Sequence, residues 1–152
     1  MIPRPPHAED GSAVVEFVFV AVLVLVPLIY LIVAVATVQR SQLAVTQAAR
    51  EAGRAFATSD GTADAPNRVR AAVRLAVENQ GLPADVAVRF VAVGASCDAA
   101  PVVPVLTPDA AFTVCVTRHV ALPAVPRVVA GRGITTVGRY DVHVDDYRTV
   151  RP

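Results

Sequence analysis

Lysine and tryptophan are absent from the chain, and aromatic residues make up only 5% of it. That leaves little for base stacking. The formal net charge is +1, so there is no field of one sign to recruit nucleic acid. Charged residues amount to 18%. Global disorder is excluded nonetheless, because 54% of the chain is hydrophobic and disorder needs low hydrophobicity with high net charge. Only two cysteines occur, Cys97 and Cys115. They lack CxxC redox spacing and nearby histidine pairs, which excludes a structural zinc site built on them. No glycine-rich phosphate loop is present. Ser12 and Ser41 have no visible His/Asp partner set.

What the chain does have is apolar length. It has 152 residues, one domain or a small domain with an appendage, and a mean hydropathy of +0.50. From Phe17 to Val38 no residue is charged, a run of 22. A membrane-spanning helix needs about 20 such residues, and a signal-peptide core has about 7–15. Pro27 lies within the run, where its ring crowds the Leu23 carbonyl and bends the helix. A second reading stays open. Ala34-Val35-Ala36 has the small-residue spacing of a signal-peptidase site, which would release everything beyond Ala36. Against it, the segment before the run holds Glu9, Asp10 and Glu16 beside Arg4, and a signal peptide wants a net positive start.

Glu16 stands at the edge of the apolar run. A carboxylate there is costly unless it snorkels or meets a cation. The stretch reads Gly11-Ser12-Ala13-Val14-Val15-Glu16-Phe17. Glycine, then glutamate five residues later, then the apolar helix: this order resembles the processing motif of type IV pilin-like proteins. The resemblance implies a membrane-embedded prepilin-type peptidase that cuts between Gly11 and Ser12. It also implies that Glu16 meets the new ammonium of a neighbouring subunit. The Glu16-Phe17 pair resembles the glutamate–aromatic pair of the Flp/Tad branch.

Gln39 to Ala57 reads QRSQLAVTQAAREAGRAFA. Small residues recur four apart at Ala44, Ala48 and Ala52, and at Ala49 and Gly53. This spacing forms a narrow seam for close helix contact. Together with the motif and the span, the Gln-Ala-Ala-Arg-Glu-Ala-Gly-Arg stretch resembles TadE-like pilus-assembly proteins. The resemblance runs from Gly11 to about Ala57. It implies a pseudopilin of the Flp/Tad branch, with membrane lipid, the peptidase and other pilin-like subunits as partners.

One helix from about Ser12 to Ala57 would be roughly 65–70 Å long, half in lipid and half a spine for a small domain. Thr58 to Pro66 reads as a turn. A second helix follows from about Ala65 to Gln80, with Asp64 at its N-cap and Gly81 as its stop. Val69, Ala72, Val73, Ala76 and Val77 share its apolar face. Arg68, Arg70 and Arg74 read as a solvated face rather than a lipid or nucleic-acid patch. The period then drops to two: strands from Val86 to about Val93, from Phe112 to about Leu122, and one or two more within Ile134–Val150. Ala99–Asp109 and Leu122–Gly133 are loops. The expected fold is therefore α+β and pilin-like. A long transmembrane helix continues as a spine, and a short helix packs with a small antiparallel sheet of three to four strands. Residues 1–11 would be a leader, 12–57 the helix and 58–152 an outer domain.

Cys97 and Cys115 adjoin separate strands. They are either two reduced buried thiols or one disulfide; a bridge over such a loop contributes about 3 kcal/mol and requires an oxidising compartment. Orientation signals conflict. Arg40, Arg50 and Arg54 after the span favour a cytoplasmic C-terminal side. The cysteine pair and the resemblance favour an extracytoplasmic one, with the N-terminus in the cytoplasm, and this is the expectation adopted. Asp141, His143 and Asp145 alternate on one strand face, with Asp146 next. They could hold a divalent metal, but such alternation more often marks the wet face of a sheet. No catalytic set, metal or cofactor is expected. Two functions remain: an assembly-type pseudopilin, or an anchored extracytoplasmic binding domain in which Gly11 and Glu16 are accidental.

Overall fold

The computed structural model describes residues 10–122 and 133–147. Residues 1–9 of the expected leader, with His7, residues 123–132 of the Leu122–Gly133 loop and the end of the Ile134–Val150 region fall outside the described residues. Five elements follow in order: α1 (Asp10–Ala57), α2 (Ala65–Glu78), β1 (Ala87–Ala92), β2 (Ala111–Val120) and β3 (Ile134–His143). The chain divides into two units, Met1–Ala36 and Thr37–Pro152.

In the first unit α1 is apolar on every side and continues through Pro27. Phe17, Leu23, Val26 and Leu31 are all more than half exposed. An all-round apolar helix with nothing over it has no place in water. α1 is long and apolar enough to cross a membrane.

The second unit takes in the rest of α1. Here α1 turns amphipathic: Ser41, Ala44, Val45, Ala48, Ala49, Ala52 and Phe56 form one buried stripe at three- and four-residue spacing. They pack with Val69, Val73, Ala76 and Val77 of α2 and with Phe112, Val114, Val116 and Val142 of the sheet. Phe56, Phe90 and Phe112 close one part of this core, with ring centroids 5.1–5.7 Å apart and tilted or edge-on planes. Each such pair adds about 0.5–1.5 kcal/mol beyond its buried area.

The sheet is antiparallel with order β1-β2-β3, so β2 is central. Among the described residues it has three strands, and the region from Ile134 gives a single strand ending at His143. β1 and β2 differ from the sequence expectation by one or two residues at their ends. Along β2, Phe112, Val114 and Val116 face the helices. Thr113 and Cys115 lie on the reverse face and are also fully buried, because the segment after β1 folds over them. The face of β2 opposite the helices is therefore covered at its centre.

α2 ends at Glu78, two residues earlier than expected. Its stop is a Schellman arrangement: Leu82 N–H donates to the Val77 carbonyl at 3.3 Å and Gly81 N–H to the Glu78 carbonyl at 2.8 Å. Gly81 has φ +68°, the left-handed conformation this arrangement requires. Asp64 does occupy the N-cap position, but its backbone is already helical and its side chain makes no capping bond. Pro66 in the first turn lessens the need for one, since it has no N–H to satisfy.

Candidate assembly helix and its supports

Gly11 and Ser12 lie in the first turn of α1, and Glu16 and Phe17 follow one turn later on exposed helix surface. Phe17 is 73% exposed. Glu16 forms no ion pair among the described residues. Its carboxylate and the aromatic ring beside it are thus available to a partner outside the chain.

The small-residue seam is buried within the chain rather than left open. Ala44, Ala48, Ala49 and Ala52 are fully buried inside their own unit. Gly53 lies against β3: a Cβ there would sit 2.6 Å from Tyr140 Cδ1 and 2.7 Å from Val142 Cγ2. Opposite, Gly138 of β3 meets the Val45 carbonyl of α1 so closely that a Cβ would overlap it. Small residues on both sides let the helix backbone lie on the strand. Two polar contacts fix the register. Ser41 Oγ and Thr136 Oγ1 are 2.8 Å apart and buried, and Gln42 Nε2 donates to the Val137 carbonyl at 2.8 Å. Gly138, Ser41 and Thr136 were missed in the sequence; a lone glycine inside a strand pattern was the available signal.

Cys97 and Cys115 form a disulfide, with Cα atoms 5.7 Å apart. It fastens the segment after β1 to the middle of β2, and both ends of the loop it closes lie within the second unit. Gly94 N–H also donates to Thr113 Oγ1 at 3.1 Å, reinforcing the same cover.

The expected Asp141–His143–Asp145 face does not act as one group. Asp141 accepts a hydrogen bond from the buried Thr113 hydroxyl, and Asp145 accepts one from Tyr147 N–H at 2.9 Å. His143 instead neighbours Asp109 and Asp146. Asp109 comes from the segment before β2, which the strand period could not bring into view. On α2, Arg74 lies 4.0 Å from Glu78 and Arg68 donates to the Thr58 carbonyl at 3.1 Å, as fits a solvated face. Glu51 and Arg54, three residues apart on α1, approach to 3.9 Å with Arg54 exposed, a weak surface pair.

No curated protein and no solved structure matches the chain. Residues 11–54 match the family model described as TadE-like protein. The matched stretch carries the Gly11–Glu16 motif, the apolar helix and the buried seam, and there the chain is similar to that family.

Proposed function

We propose that the chain is a membrane-anchored pseudopilin, a minor pilin-like component of a Tad-type pilus or a related secretion apparatus. The observation that carries this reading is the pairing of a TadE-like segment with an apolar helix that nothing in its own unit covers. The helix is held in lipid by its apolar residues, because each exposed Leu, Ile, Val or Phe gains about 1.5–3 kcal/mol when fully removed from water. A prepilin-type peptidase cuts between Gly11 and Ser12. Glu16 then meets the ammonium of a neighbouring pilin-like subunit, since a carboxylate at the membrane edge needs a cation.

The small unit sits on the extracytoplasmic side, with the N-terminus in the cytoplasm. The Cys97–Cys115 disulfide supports this orientation, because such bridges persist in oxidising compartments. Assembly acts through the exposed face of the first unit rather than through the seam, which is buried inside the chain's own second unit.

Photo-crosslinking from Phe17 in cells tests the reading. A photoreactive residue there should capture pilin-like subunits in discrete adducts. Adducts to lipid alone would favour the alternative of an anchored extracytoplasmic binding domain unrelated to pili.

A further inference from the structure

Two carboxylates and an imidazole from two stretches of chain meet at the C-terminal end of β3. His143 Nε2 lies 3.3 Å from Asp109 Oδ1 and 3.9 Å from Asp146 Oδ1. All three ligand atoms fall within 4.8 Å of one another. A tetrahedral ion with bonds of about 2.0–2.2 Å has ligand atoms about 3.3–3.6 Å apart. The 3.3 and 3.9 Å separations lie near that range.

The backbone holds the three positions together. His143 is the register partner of Ala111, and Val144 N–H donates to the Ala110 carbonyl at 2.9 Å, so the segment carrying Asp109 is fixed beside the end of β3. The two other nearby acids have different partners: Asp141 is held by Thr113 and Asp145 by Tyr147 N–H. Among the described residues, the only ion-pair partner of Asp109 and of Asp146 is His143. No arginine among the described residues pairs with these carboxylates. Two carboxylates around one imidazole leave an excess of negative charge that a cation would neutralise.

We propose that Asp109 Oδ1, His143 Nε2 and Asp146 Oδ1 form a three-ligand site for a divalent transition-metal cation of the zinc class. The imidazole sets that class, since calcium and magnesium take oxygen ligands while imidazole suits zinc, copper and nickel. The three side chains are 63–82% exposed, so the cation enters from solvent without any opening of the fold. Three protein ligands leave a fourth position for water. Bound there, the ion clamps the segment before β2 to the turn after β3, closing the sheet at the end where β3 stops.

The test uses the full chain in detergent, with its disulfide intact and no polyhistidine tag, titrated with zinc chloride by calorimetry. One zinc per chain should bind saturably, and saturating zinc should raise the unfolding temperature. His143→Ala and Asp109→Asn should each weaken binding by at least about tenfold, because even changes to the partners of metal ligands cost about 10–100-fold. His119→Ala should bind zinc like the unaltered chain, since His119 lies at the other end of β2, 3.0 Å from Thr135 Oγ1. Circular dichroism and the retained Cys97–Cys115 bond establish that each variant is folded. Absence of saturable zinc binding overturns the proposal. So does unaltered binding in folded His143→Ala, or calcium binding as tight as zinc.

Discussion

Gly138 lies directly on the Val45 carbonyl: the middle of β3 and the second half of α1 meet backbone to backbone, without room for a single methyl group. This contact decides what the TadE-like seam does. A stripe of alanines on a helix is commonly a surface for another helix. Here Ala44, Ala48 and Ala52 are buried within the chain's own unit, whose core is shared with α2 and the sheet, and Gly53 and Gly138 mark close approaches of α1 and β3.

Gly138→Ala should therefore destabilise the second unit by about 1–3 kcal/mol or more, the cost of overpacking where the obstacle is rigid backbone. Gly61→Ala is the control, since a Cβ there meets nothing within 4 Å. Thermal unfolding of the two variants, followed by circular dichroism, checks the difference. Equal melting temperatures would contradict the close approach.

Phe56→Ala should cost about 3–5 kcal/mol, because it removes one ring from a mutually packed three-ring cluster as well as buried area. Phe17→Ala should leave the stability of the second unit unchanged. Denaturant titration with a probe in the second unit separates the two. A small effect at Phe56 would mean the Phe90–Phe112 pair closes over the gap.

These contacts mark how far the sequence could be read. Long apolar and alternating runs revealed α1, α2 and the three strands, because period 3.6 and period 2 are local signals. Gly81 and Pro66 likewise marked the ends of α2 through local backbone chemistry. What the sequence hid is what depends on pairing between distant segments. Thr113 has the alternation of a wet-face residue, yet it is fully buried because the disulfide-bound segment covers it. Asp141 and His143 share a strand face but go to different partners, Thr113 and Asp109, which no single strand's period contains. The seam itself was legible; the surface it packs on was not.

Cys97 and Cys115 should be oxidised in protein taken from cells. Non-reducing peptide mapping of freshly isolated membranes should recover the two cysteines in one cross-linked peptide pair. Replacing both with serine should lower stability by about 2–5 kcal/mol, the usual range for losing a native bridge in a small domain. Two freely alkylated thiols would contradict both the bond and the extracytoplasmic side.

Glu16→Gln keeps size and polarity and removes the charge. Membrane insertion and the Cys97–Cys115 bond should persist, since neither depends on that carboxylate. Co-purification with other pilin-like subunits should fall sharply, because breaking a buried ion pair leaves its partner uncompensated at a cost of about 3–5 kcal/mol. Glu16→Ala should behave the same way. An unchanged set of co-purified subunits in both variants would favour a plain anchor.

The central claim is that the chain enters a pilin-type assembly route, and the mature N-terminus tests it most directly. Intact-mass and N-terminal peptide spectrometry on protein purified from membranes should find chains beginning at Ser12, with everything through Gly11 removed. Chains that retain the leader, or that begin at Thr37 after cleavage behind Ala36, would contradict the account.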